Sequence, residues 1–217
     1  MITVSEIVKN YIKSTPYIEE ALNLDLINVS ALAREIQPYV REETMKNIKL
    51  GAIIMAIKRY KPEIKKGTNQ INKILNNLGD ITIKSNLYEF TFQNSSTLIS
   101  NLKDFILNLN NDPRNYFIIS QGIFEITIIV NKKLVDLVSK KFKDENSVFE
   151  LNAISAISIK LPPDNLNIPG VYYSILKALA WEDVNLIDIV STSNELILII
   201  TEEQIERAFS IIKSLTS

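Results

Sequence analysis

The chain has 217 residues, of which 46% are hydrophobic and 23% charged, and its formal net charge is −1. It contains neither cysteine nor histidine, which excludes disulfides and catalysis by a thiol or a histidine base, and speaks against a zinc site. The composition is that of a globular protein with one large or two to three small domains.

The N-terminal stretch carries charges throughout and has no apolar centre, so it is not expected to act as a signal peptide. No apolar run approaches the roughly 20 residues of a membrane span. We therefore expect a cytoplasmic protein without a membrane partner, and the absence of cysteine fits a reducing compartment.

Residues 1–66 are predicted to form a helical domain. Thr3 and Glu6 have the spacing of a capping box, and Pro16 suits the first position of a second helix. Pro38 is expected to end or kink a third helix. A longer helix is predicted over residues 42–60, with a break at Gly51.

Basic side chains gather at the end of this domain; they are Lys58, Arg59, Lys61, Lys65 and Lys66. Short helices followed by a basic-ended helix resemble a helix-turn-helix head, in which these charges would neutralise nucleic-acid phosphates. The alternative is a small packing or dimerisation domain whose lysines complement the helix dipole. Residues 1–67 carry 11 basic and 8 acidic side chains, a weaker excess than dedicated DNA-binding domains show.

Residues 67–79, bounded by glycines, are predicted to be a linker with a short helix and to mark the main domain boundary. The chain then becomes rich in β-formers. Ile81–Lys84 and Leu87–Phe92 are predicted to form a hairpin around Ser85 and Asn86.

The order strand, helix, strand, strand, helix is predicted twice, over residues 80–151 and 152–217. The first copy ends with a closing strand at Val148–Leu151. The second copy begins with the strand Ile154–Leu161 and ends on its second helix, without a closing strand of its own. We expect a strand from elsewhere, either Ile81–Lys84 or Val148–Leu151, to take that place.

The second copy carries a pattern of glycine, helix and polar strand residues. Its members are Gly170, Leu179-Ala180, Asn185, Asp188 and Thr192-Ser193. This pattern resembles the ACT domain, the amino-acid-sensing module of biosynthetic enzymes, and is most similar to the tandem ACT regulatory region of aspartokinases. The resemblance implies an α+β fold: an N-terminal helical domain followed by two ferredoxin-like (βαββαβ) ACT repeats.

The resemblance also implies where a ligand binds: in lysine-sensing aspartokinases the loop before this helix holds the ligand against the following strand of a partner domain. By this resemblance the ligand-binding residues are Ile168, Gly170, Val171, Tyr172, Asp188, Thr192, Ser193 and Asn194. Gly170 lets the backbone approach a ligand, and the free N–H groups at the helix start suit a carboxylate. Asp188 would face an ammonium group. The same residues can be explained without a ligand. Gly170 then belongs to a turn before a helix, Asp188 is a solvated strand position, and the hairpin loop consists of Thr192, Ser193 and Asn194.

The first copy has Asn94, Ser95 and Ser96 where the second has its glycine, so we expect it to be structural. Its exposed sheet edges, and those of the second copy, predict a homodimer.

No catalytic constellation is present: the five glycines are scattered and form no phosphate-binding loop. The kinase domain of aspartokinases has no counterpart. We therefore expect a regulatory protein rather than an enzyme, without a cofactor or metal, that binds a free amino acid and acts on transcription or on a partner enzyme. The alternative is an assembly protein whose ACT-like repeats only mediate dimerisation.

Overall fold

The computed structural model describes residues 3–60, 67–109 and 112–216. The chain divides into two compact units, Met1–Lys66 and Gly67–Ser217. Each unit has its own hydrophobic core, and the two are described in turn.

The first unit is helical. Its described helices are α1 (Val4–Ser14), α2 (Pro16–Asn23), α3 (Val29–Thr44) and α4 (Leu50–Arg59). The predicted capping box is present, because Thr3 Oγ1 accepts the Glu6 N–H at 3.2 Å and Glu6 Oε2 accepts the Thr3 N–H at 2.8 Å. The core is formed by one face of each long helix, with Ile12, Ile36 and Ile53 fully buried.

The structure corrects two helix predictions in this unit. Pro38 does not end α3, which continues to Thr44; that Pro38 kinks the helix stays a prediction. The helix predicted over residues 42–60 is two helices, because Met45 adopts a left-handed conformation with φ 52° and ends α3. Gly51 does not break a helix; it lies in the first turn of α4.

The second unit contains five α-helices and six strands among its described residues. They are α5 (Gly67–Leu75), β1 (Ile81–Gln93), α6 (Leu98–Leu107), β2 (Phe117–Gln121), β3 (Glu125–Asn131), α7 (Val135–Lys141), β4 (Ser147–Lys160), α8 (Val171–Trp181), β5 (Asp188–Ser191), β6 (Glu195–Thr201) and α9 (Ile205–Ser214). The strands form one antiparallel sheet in the order β2-β3-β1-β4-β6-β5. The unit is thus α+β, as expected.

The predicted hairpin around Ser85 and Asn86 is wrong. Both segments belong to the single strand β1, which pairs with β4 on either side of a register shift between Lys84 and Leu87. Asn86 has φ 59° and bends the strand without reversing it. β4 is also one long strand, with a matching left-handed residue at Ala153, where φ is 54°.

These two long strands serve both halves of the sheet. Ile81–Lys84 pairs with the second half of β4, beside β6, and so takes the place of the closing strand that the second copy lacks. The first half of β4 pairs with the second half of β1, beside β3. One of the two strands expected to fill the gap, Ile81–Lys84, therefore fills it.

The sheet has an outer face, which carries the helices, and an inner face. On the outer face, α6 and α7 pack against β1 and β3 around Phe105, and α5, α8 and α9 pack against β4 and β6 around Leu198. The segment predicted as a linker is therefore partly core, since Ile74 and Leu75 of α5 are buried there.

The inner face has a smaller apolar cluster made by the strands, here called the inner cluster. Its buried members are Leu87, Ile129, Ile154, Ala156, Ile197 and Ile199. Ile118 of β2 and Val190 of β5 pack against it, although these strands lie at opposite edges of the sheet. The sheet is therefore curled over its inner face, which brings the two edges towards each other.

Candidate functional site

The loop between β4 and α8 ends at Gly170, which precedes the first helical residue. Gly170 has φ 98°, a conformation that residues with a side chain rarely adopt. Its backbone oxygen accepts both the N–H and the Oγ–H of Ser174 at 3.0 Å. Val171 is 3% exposed and packs in the core, so the start of α8 is fixed on the sheet.

The turn between β5 and β6 lies against this loop. Thr192, Ser193 and Asn194 are all exposed. The Leu161 N–H donates to the Asn194 backbone oxygen at 2.8 Å. The structure therefore brings the predicted turn residues to the same end of the sheet as the loop.

Asn165 holds the loop and the turn together, and sequence reasoning missed it. Its side chain is buried, and Nδ2 donates to the backbone oxygens of Ser193 at 2.9 Å and Pro162 at 2.8 Å. An asparagine in a polar, proline-flanked loop carries no signal that separates this role from an ordinary turn residue.

Asp188 lies apart from these residues. It begins β5, four residues before Thr192, a separation of roughly 13 Å at about 3.3 Å per residue. Its partner in the pairing register is Ile199, a member of the inner cluster, whereas α8 packs on the outer face. Within one chain, Asp188 therefore does not face the start of α8. Its Oδ1 accepts the Ile189 N–H at 2.6 Å.

Ile71 of α5 borders the loop. A Cβ atom built at Gly170 would lie 3.0 Å from Ile71 Cδ1, so a side chain at Gly170 would be crowded as well as strained. Ile168 is half-buried and packs against the same core, and Tyr172 is 37% exposed. These residues give the loop a partly apolar border.

The two halves of the second unit repeat one hydrogen-bond framework, at opposite ends of β1. In the first half, the Gln93 N–H donates to the Asn146 backbone oxygen at 3.0 Å; in the second, the Lys160 N–H donates to that of Asp80 at 3.0 Å. Likewise the Asn94 N–H donates to the Phe124 oxygen at 2.8 Å, as the Leu161 N–H does to Asn194. Asn146 thus corresponds to Asp80, and Glu145 and Gly79 are the residues that precede them. Their backbones differ, because the Gly79 N–H donates to the Lys160 oxygen at 2.8 Å and the Glu145 N–H to the Phe142 oxygen at 3.0 Å.

Glu145 fills the start of α6 in the first half. Its carboxylate accepts hydrogen bonds from Ser95 Oγ at 2.6 Å, Thr97 Oγ1 at 2.7 Å and Asn101 Nδ2 at 2.6 Å. Partial burial raises the pKa of Glu145, but these three hydrogen bonds outweigh it and lower the pKa below its ordinary value. Gly79, which precedes Asp80 in the second half, has no side chain that could accept such hydrogen bonds.

The side chain of Asn94, in the first half, donates hydrogen bonds to backbone groups of the same half. Its Nδ2 donates to the backbone oxygens of Gly122 and Ile123, both at 2.9 Å. It thereby ties its loop to the β2–β3 turn, as Asn165 ties the corresponding elements of the second half.

The basic residues predicted in the first unit are only partly described. Lys58 and Arg59 are exposed in the last turn of α4; Lys61, Lys65 and Lys66 lie outside the described residues. An open groove of about 680 Å³ lies elsewhere on this unit, beside the end of α3. It is lined by Arg34, Gln37, Pro38, Arg41, Glu42, Met45, Lys46 and Asn47.

Within the described ranges, no group of three or more acidic side chains is arranged to hold a metal ion. None of the helices described there combines the length and the apolar character needed to cross a bilayer.

No protein-family model matches the chain, and no curated protein matches it. The chain is, however, similar in structure to solved proteins. The regulatory subunit of aspartate kinase from Thermus thermophilus, in its ligand-free form, is 12% identical with a TM-score of 0.52, covering 64% of this chain and 99% of that one. The aspartate kinase of Clostridium acetobutylicum is 14% identical with a TM-score of 0.53, covering 64% of this chain and 35% of that one. E. coli aspartokinase III in complex with aspartate and ADP is 12% identical with a TM-score of 0.51, covering 64% and 33%.

At these identities the likeness shows a shared fold. It agrees with the resemblance to aspartokinase regulatory regions that the residues around Gly170 indicate, and the chain spans about a third of the two full-length kinases.

Proposed function

We propose that this protein is a regulatory protein, without catalytic activity of its own, that binds a free amino acid through the second of two ACT-type repeats. In this interpretation each repeat is a ferredoxin-like βαββαβ unit, and the repeats complete each other by sharing β1 and β4. The likeness to aspartokinase regulatory subunits supports the fold on which this proposal rests.

The observation that carries the proposal is the contrast between Glu145 and Gly79. The first N–H groups of a helix lack intrahelical partners and favour negative charge. At α6 the chain supplies that charge itself, through Glu145. In the second half the residue before Asp80 is Gly79, which carries no carboxylate, so we infer that the α-carboxylate of a free amino acid supplies the negative charge at the start of α8.

The turn Thr192–Asn194 supplies exposed polar groups next to this position, and Ile168 and Ile71 supply an apolar border. Asp188 is on the other face of the sheet from α8. The proposed site within one chain therefore comprises the loop, the turn and the start of α8. Asp188 does not bind the ammonium group of the ligand in this proposal, and other groups do.

The output of such a sensor is either transcription, through the helical unit, or control of a partner enzyme. The exposed cations Lys58 and Arg59, together with Arg34, Arg41 and Lys46 beside the groove, are compatible with an anionic partner. We propose that the protein acts as a homodimer, because β2 and β5 leave two open sheet edges.

The second candidate is a purely structural role in assembly. The contact of Ile71 with Gly170 favours it, since an apolar side chain already lies against the backbone that would approach a ligand.

A thermal-shift screen over the twenty amino acids separates the two functions. A ligand that binds only the native state stabilises it by RT ln(1 + [L]/Kd), about 2.7 kcal/mol at a hundredfold excess over Kd. We expect one or a few amino acids to raise the Tm of the wild type and not that of Gly170→Val. Gly122→Ala is the control, because a Cβ there meets only an ordinary contact at 3.5 Å. A wild type that responds to none of the twenty would leave assembly as the function.

A further inference from the structure

Helix α5 lies against the loop that precedes α8. It packs on α8, and Cδ1 of the half-buried Ile71 is 3.0 Å from the position that a Cβ atom at Gly170 would take, with Cγ1 at 3.9 Å. Because Gly170 has no side chain, the tip of Ile71 fills the space in front of its backbone. A ligand approaches the backbone of Gly170 through this same space in the proposed function.

Apolar contacts hold α5 in this place. Ile74 and Leu75 are buried, and Ile71 and the following Leu78 are half-buried against the same cluster. The polar side chains between residues 70 and 77 are exposed, and Asn77 Nδ2 donates only to the backbone oxygen of the preceding turn, at 2.7 Å. Within the described part of the chain, no side-chain hydrogen bond or ion pair joins residues 70–78 to another element. The docking of α5 is therefore as strong as the burial of these four side chains.

The chain just after α5 is fixed to the sheet. The Gly79 N–H donates to the Lys160 oxygen at 2.8 Å, and the Lys160 N–H donates to the Asp80 oxygen at 3.0 Å. α5 itself has nine residues, and helices shorter than roughly 12 residues are marginal in water without packing. Residues 70–78 can therefore separate from α8 while β1 stays paired with β4.

We propose that α5 is a displaceable cover of the ligand loop, in which Ile71 competes with the amino acid for the space over Gly170. The proposal rests on the function proposed above. With α5 docked, the loop is closed; with α5 separated, the backbone of Gly170 is open to the ligand. The apolar border that Ile71 gives the loop is thus movable, and its contact with Gly170 is compatible with binding as well as with assembly.

The cover makes binding and docking mutually exclusive. The apparent Kd equals the intrinsic Kd divided by the fraction of molecules in which α5 is separated. By the same equilibrium, a bound amino acid increases that fraction. α5 is the first element of the second unit along the chain, so the state of the ligand site changes the segment that connects this unit to the preceding one.

Binding to the full chain tests the competition, with wild type, Ile71→Ala and Ile211→Ala compared. Ile211 of α9 is the matched control, because it is an isoleucine that is half-buried against the same cluster and is not part of α5. Each of the twenty amino acids is screened by thermal shift, and those that raise the Tm of any of the three proteins are titrated by calorimetry. We expect Ile71→Ala to bind roughly tenfold more tightly than the wild type, since its α5 is docked more weakly, and Ile211→Ala to bind as the wild type does.

The outcomes separate this proposal from the proposed function. An amino acid that binds Ile71→Ala and not the wild type supports both. Equal or weaker binding by Ile71→Ala shows that an amino acid binds but that α5 does not compete with it, which overturns the cover alone. If none of the twenty binds any of the three proteins, the proposed function fails, and the cover fails with it.

Amide hydrogen exchange measures the separation of α5 without a ligand. In the wild type, we expect the amides of α5 to exchange through a local opening, faster than those of α8 and with little dependence on low concentrations of urea. Ile71→Ala should speed exchange in α5 roughly tenfold and leave α8 as in the wild type. Exchange of α5 only together with α8, through global unfolding, would overturn the cover.

Discussion

One carboxylate, that of Glu145, joins three side chains at the start of α6. Ser95, Thr97 and Asn101 all donate to it at 2.6–2.7 Å, and Ser95 Oγ in turn accepts the Leu98 N–H at 3.1 Å. A single carboxylate thus ties together the loop and the first turn of α6.

We expect Glu145→Gln to destabilise the protein by roughly 1–2 kcal/mol at neutral pH, because hydrogen bonds to a charged acceptor weaken when the charge is removed. The pKa of Glu145 is lowered in the folded state. Its contribution is therefore complete above the unfolded value of 4.5 and is lost as the pH falls through the lower folded value. Urea unfolding at neutral and acidic pH measures this, and an equal stability of the two proteins at neutral pH would contradict it.

At the scale of elements, β1 and β4 set the architecture, because each is long enough to serve both halves of the sheet. Each bends at one left-handed residue, Asn86 in β1 and Ala153 in β4. Left-handed backbone suits asparagine, but an alanine there is unfavourable by about 1–2 kcal/mol. The bend in β4 is therefore built on a strained residue.

Ala153→Gly should relieve this strain. After subtraction of the extra entropy that glycine has in the unfolded chain, we expect a net gain in unfolding free energy of about 0.5–1 kcal/mol. Ala156→Gly in the same strand is the matched control. Its position is buried in regular strand, so there we expect a loss of about 0.5–1 kcal/mol. Chemical denaturation measures the unfolding free energy of both variants. A lower unfolding free energy for Ala153→Gly than for the wild type would refute the strain.

Sequence patterns located most helices and strands but misplaced the points where the chain changes direction. Ser85-Asn86 is a turn signal in sequence, yet the same left-handed asparagine that closes a hairpin also makes a bulge. Met45 ends α3 in a conformation that nothing about methionine indicates. Whether such a residue closes a hairpin, makes a bulge or ends a helix depends on strand pairing and on packing against distant parts of the chain. Local propensity does not describe these interactions.

Only part of the candidate site could be predicted from the sequence, because its remaining contacts depend on the packing of distant segments. Gly170 and the Thr192–Asn194 turn do lie at one end of the sheet. The buried link through Asn165 and the roles of Glu145 and Gly79 emerge only from the hydrogen bonds of the folded chain. The face on which Asp188 lies depends on strand register, and one residue of shift reverses it.

At the scale of the whole molecule, exposed apolar side chains are unevenly spread over the sheet edges. The turn that follows β2 presents Ile123 and Phe124, 87% and 79% exposed, and Phe117 of β2 is 42% exposed. At the other edge, Ile189 of β5 is 43% exposed. Clustered apolar side chains beside an open strand mark an interaction surface, so the β2 edge is the expected contact in the proposed homodimer.

We therefore expect a dimer in light scattering that the double variant Ile123→Ser, Phe124→Ser converts to a monomer. Losing two large apolar anchors at the centre of an interface typically costs 2 kcal/mol or more each, which corresponds to roughly a thousandfold weaker association for the pair. Ile189→Ser, at the opposite edge, is the matched control and should remain a dimer. Circular dichroism should be unchanged in both, since these side chains are exposed and contribute little to the core. A wild type that stays monomeric at every accessible concentration would refute the dimer, and dissociation by Ile189→Ser alone would move the interface to the β5 edge.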